Sequence, residues 1–118
     1  MTELDGKSTR HTSEERLIQR EASMFARRYR ADIDRFSNRA VFLATAVSLS
    51  RDPVRARSYA REVHRLLEEA AEYRDRFEIE ARRLGAPVAA SSRIDDIRQA
   101  LTRVTATLRG TLTAVGAR

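Results

Sequence analysis

His64 and Glu68 stand one helical turn apart and are the pair best placed to do chemistry in this chain. An i, i+4 pair of this kind shares one helix face and could in principle hold a divalent metal. The only other histidine is His11, and no Glu-x-x-His pair follows, so the ligand set of a di-iron bundle is missing. With no cysteine, thiolate chemistry and disulfides are ruled out. Glu68, Glu69, Glu72, Asp75, Glu78 and Glu80 alternate with Arg65, Arg74, Arg76, Arg82 and Arg83. That alternation describes a solvated helix face with i, i+4 ion pairs, each worth a few tenths of a kcal/mol. There is no glycine-rich phosphate loop and no nucleophile motif. The reading is a non-enzymatic protein with no catalytic residue, no metal and no cofactor.

Two helical enzyme families offer a comparison. Phosphotransfer bundles are of this size and carry a surface histidine followed by a Lys-Gly pair. His64 is followed instead by Arg65-Leu66-Leu67-Glu68, which leaves no small residue beside the imidazole. Asp52-Pro53-Val54-Arg55 is similar to the Asp-x-x-Arg element of the helical chorismate mutases. That family places Glu directly after this Arg, where Ala56 stands here, and its Lys and second Arg fall on Leu43 and Asp32. The departures lie at the positions where the chemistry would reside.

The net charge is +6, carried by 22 Arg and the single Lys7. With 18 alanines, the Arg excess fits the codon usage of a GC-rich, bacterial-like genome, so only the net charge is read as physical. Arg51, Arg55, Arg57, Arg61 and Arg65 cluster around Asp52, and the last three form a one-sided ladder. A ladder of this kind could contact phosphates, with a steep salt dependence. Largely non-specific nucleic-acid binding is therefore the alternative function. Against it, no helix-turn-helix element is visible, and six of the seven aromatics lie on packing stripes.

The elements that position these residues are helices. From Ile18, apolar residues recur at Ala22, Phe25, Tyr29, Ile33, Phe36, Ala40, Leu43 and Val47, eight steps over 29 residues. That mean of about 3.6 is the α-helical period. A second stripe runs Tyr59, Val63, Leu66, Ala70, Tyr73, Phe77, Ala81 and Leu84, close enough to a heptad for coiled-coil-like packing. A third runs Ile94, Ile97, Leu101, Val104, Leu108, Leu112 and Val115. Asp52-Pro53 ends the first helix and caps the second; Gly85 and Pro87 end the second. Thr12 and Glu15 fit a capping box at the start of the first.

The prediction is an all-α, elongated, antiparallel up-down-up three-helix bundle with helices at about 13–49, 53–84 and 92–115, which dimerisation would complete. Residues 1–11 read as a flexible tail and 12–118 as one domain. The first ten residues carry no hydrophobic run, and the longest charge-free run, residues 40–50, is far short of the ~20 needed to span a bilayer. The expectation is a cytoplasmic protein without a membrane span.

At 1.5 Å per residue the three helices measure about 55, 48 and 36 Å. By that count the third stops near Arg61 and Leu43, leaving the hairpin tip around Asp52 uncovered. Residues 40–50 carry no charge on any face, and Phe42 and Leu49 lie off the seam formed by Leu43 and Val47. An exposed apolar patch of this kind marks an interaction site. The expected function is protein–protein contact, as an adaptor, chaperone-like or self-associating module. The partner is a second copy or another helical protein. The expected contact uses Val41, Phe42, Ala46 and Leu49, with the small residues Ala106, Gly110 and Ala114 as a second face.

Overall fold

A computed structural model of the chain describes the backbone of residues 2–116 and the side chains of residues 13–116. The described residues form an all-α bundle of four helices: α1 (Thr2–Leu49), α2 (Pro53–Arg83), α3 (Ala86–Ala89) and α4 (Ser92–Gly116). Among the described residues there is no strand, and no helix is long and apolar enough to cross a membrane.

α1 is helical from Thr2, earlier than the start expected at residues 12–13. Elongating an existing helix adds one bond per residue and needs no second nucleus, so Gly6 does not stop it. The side chains of the expected tail, and that of Thr12 in the expected capping box, lie outside the described residues. The other boundaries follow local chemistry. Asp52 is extended (φ −91°, ψ 116°), its Oδ1 accepts from the Val54 amide at 2.9 Å, and Pro53 opens α2. Ser50 Oγ donates to the Asp52 carbonyl at 3.3 Å, which tightens the hairpin. Gly85 ends the α2 run with a φ of 98°, a left-handed conformation that disfavours any residue with a Cβ.

α3 was not expected. Ala86-Pro87-Val88-Ala89 forms a single turn that folds inward, burying Val88 with Ala22 and Ala81 at the end of the bundle. Ser91 caps α4: its carbonyl accepts from the Asp95 amide at 3.0 Å and its Oγ from the Arg93 amide at 3.2 Å. Four α4 threonines (102, 105, 111 and 113) donate their hydroxyls to the carbonyl four residues earlier, at 2.8–3.1 Å. β-branched residues thereby keep a satisfied local bond in an otherwise poor helix former.

The core follows the three stripes. One cluster packs Ala22, Phe25, Tyr29 and Ile33 of α1 against Tyr73, Phe77, Ile94, Ile97 and Leu101. Five rings meet there, Phe25, Tyr29, Phe36, Tyr73 and Phe77, with centroids 4.9–5.4 Å apart in tilted and edge-on pairs. A second cluster joins Ala40, Leu43, Val63, Leu66, Val104 and Leu108.

That second cluster corrects the length argument. Leu108 already lies with Leu43, and α4 continues to Gly116. Val115 borders one cleft with Ser48, Asp52 and Ala56 at the hairpin tip, and Val47 and Ala56 are buried. The last helix therefore reaches the tip, about two turns farther than residue counting placed it. The reason is α3, which folds back over the bundle end and starts α4 already advanced along α1.

Candidate functional site: the outer face of the hairpin

α4 covers one side of the α1–α2 hairpin and leaves the other open. On the open side a groove runs between α1 and α2. Asp32, Arg35, Phe36, Leu66 and Tyr73 line its middle, and Arg39, Glu62, Arg65 and Glu69 continue it. At the tip the groove is lined by Phe42, Ala46, Leu49, Arg51, Arg55 and Tyr59.

Phe42 and Leu49 are 52% and 75% exposed, and Val41 is also exposed; Ala46 is half-buried. Their exposure has an angular cause and not the expected longitudinal one. Leu43 and Val47 point inward at 0% and 1% exposure, while Phe42 and Leu49 sit on the opposite flank of the same helix. The Phe42 ring is not bare. The Arg39 guanidinium carbon stands 5.0 Å from its centroid, and Arg39 Nη2 donates to Glu62 Oε2 at 2.7 Å, which fixes the cation over the ring.

The structure divides the residues expected to act together. Phe42, Ala46 and Leu49 share the tip of the α1–α2 groove with Arg51 and Arg55. Val41 lies on the other flank, in the α1–α4 groove with Arg103, Val104 and Thr107. Ala106, Gly110 and Ala114 are exposed on α4, and a Cβ built at Gly110 meets nothing within 4 Å. Among the described residues, no neighbouring backbone approaches that small face at Gly110.

All five candidate phosphate contacts are exposed, but they face different ways. Arg51 and Arg55 rim the apolar tip, Arg57 borders the cleft beside Val115, and Arg65 lies in the groove with Glu62 and Glu69. Arg61 is exposed and borders none of these depressions. His64 is also exposed. Among the described residues, no group of three or more His, Cys, Asp or Glu side chains is placed to hold a metal ion.

Two polar constellations escaped the sequence reading. Arg98 of α4 donates to Glu78 of α2 (2.7 and 3.4 Å), to Asp95 (3.1 Å) and to the Ala89 carbonyl of α3 (3.1 Å). The bond to Glu78, followed by that to Asp95, raises its pKa further against the cost of burial, so this cation holds three helices together. Tyr73 Oη donates within reach of the Tyr29 carbonyl (3.3 Å) and Asp32 Oδ2 (3.1 Å), and Asp32 also pairs with Arg35. Burial pushes the Tyr73 phenol above its ordinary 10.0, with Arg35 and Arg76 opposing. Both constellations join residues from several elements, which no spacing within one element announces.

No protein-family model matches the chain, and comparison with curated proteins and with solved structures returned no match.

Proposed function

We propose that this chain is a non-enzymatic helical-bundle module that acts through protein–protein contact, either with itself or with one helical partner. The observation that carries the reading is the exposed Phe42–Leu49 flank, rimmed by Arg51 and Arg55, on a helix whose Leu43 and Val47 are buried in the bundle. Apolar surface bordered by charge is the usual composition of a docking site, with the charges governing partner choice more than affinity. The absence of cysteine fits a reducing, cytoplasmic setting.

The test is the double substitution Phe42→Glu with Leu49→Glu. The expected result is unchanged helicity by circular dichroism and a fall in light-scattering mass from an assembly to the 13.5 kDa of one chain. Unchanged mass with reduced stability would make these side chains internal core and overturn the reading. So would retention on random duplex DNA that falls steeply with salt and survives the double substitution. That outcome would assign the arginines to phosphate contact.

A further inference from the structure

Leu17 and Met24 of α1 are 60% and 61% exposed, comparable with Phe42 and Leu49. Leu17 and Met24 are seven residues apart, as are Phe42 and Leu49, and Met24 and Phe42 are separated by eighteen residues, five full turns. All four therefore lie along one outer face of α1, in a seam of about 48 Å. The seam is also symmetric. Leu17 and Leu49 stand sixteen residues on either side of the level of Ile33, and Met24 and Phe42 stand nine.

We propose that a second copy of this chain docks antiparallel along this face, setting Leu17 against the second copy's Leu49 and Met24 against its Phe42. The proposal rests on the self-association reading above and specifies its partner, face and direction. A two-fold interface must be self-complementary, each residue meeting its mate at the mirrored level, and this spacing has that property.

The charges at the two ends are complementary in this direction. Glu21 stands five turns before Arg39, the residue that reaches across to Glu62 of α2, so Glu14 and Glu21 flank the Leu17 end on the shoulder nearer α2. Arg51 and Arg55 rim the Leu49 end on that same shoulder. Antiparallel docking brings Glu14 and Glu21 of each copy to Arg51 and Arg55 of the other. Parallel two-fold docking turns this shoulder towards the second copy's opposite one, which carries Arg20, and brings neither acid to Arg51 or Arg55. Arg20, on the opposite shoulder, meets the level of the uncharged Thr45 and Ala46. At the centre, exposed Ala31 leaves room for the second copy's Arg35, whose charge is already paired with Asp32. A polar midpoint between two apolar ends penalises slipped registers.

The test uses two full-length variants. One carries Glu14→Lys and Glu21→Lys; the other carries Arg51→Glu and Arg55→Glu. Each alone presents like charges at both ends of the antiparallel pair, so its self-association should weaken about tenfold or more and its mass fall towards 13.5 kDa. Mixed in equal amounts, the two match at both ends, and the mass should return to twice that of one chain. A mixture that stays monomeric while the wild type dimerises overturns the antiparallel α1 seam and leaves self-association standing. A monomeric wild type removes both. Because the chain lacks cysteine, a second measurement follows from Leu17→Cys and Leu49→Cys. A disulfide is expected only between the two variants, and a cross-link within either one alone means parallel docking.

Discussion

Tyr73 shows how a side chain placed by apolar periodicity can also carry polar weight. Its ring fills the aromatic cluster, while its hydroxyl serves the Tyr29 carbonyl and Asp32. Tyr73→Phe keeps the ring and removes the hydroxyl, and should lower stability by about 1 kcal/mol, read as a shift in urea midpoint. The proton has a predictable signature too. Burial raises the folded-state pKa above the ordinary 10.0, so the neutral phenol favours folding. That contribution is fully present below about pH 10 and is lost as pH climbs through the raised value. Between pH 8 and pH 11 the wild type should lose more stability than Tyr73→Phe; parallel losses would refute the assignment. Tyr73 was legible as a core position because it falls on the stripe, whereas its partners on α1 were not. Phe42 was legible as well, since an aromatic off the seam within an uncharged run has no internal role to fill.

At the scale of the element, each boundary that depended on local chemistry could be read from residue order. Asp52-Pro53 and Gly85 lie where they were expected, because a proline, a capping carboxylate and a left-handed glycine act on their immediate neighbours. The single turn of α3 could not be read this way: four residues carry no periodicity, and only burial of Val88 against Ala22 gives them a reason to coil. Missing it also misplaced the far end of α4, since the path of a connection is invisible to a count of helix lengths. Two glycines allow opposite predictions. Gly110 is exposed inside α4 with open space where a Cβ would go, so Gly110→Ala should raise stability by about 1 kcal/mol. Gly85→Ala, at a φ of 98°, should lower it by about 1–2 kcal/mol. Thermal melts of the two variants should move in opposite directions. Arg98→Ala should cost about 2 kcal/mol by leaving Glu78 without its charged partner, and should expose α3 amides to faster hydrogen exchange.

The molecule as a whole is a rod, 71 × 27 × 20 Å, with a Cα radius of gyration of 19.7 Å. A compact chain of this length would have a radius of about 13.5 Å. Elongation was readable from the lengths of the first two stripes. The location of the open surface was readable only in part: Phe42 and Leu49 are exposed, but because they lie on the flank of α1 away from α4, at the open groove beside α2, and not because α4 is short. Small-angle scattering should return a radius near 20 Å for the single chain, and a side-by-side antiparallel pair should thicken the particle far more than it lengthens it. The same aspect ratio carries a practical hazard. A slender particle drags more solvent than a sphere of equal mass, so it leaves a gel-filtration column early and, as a monomer, can masquerade there as a dimer.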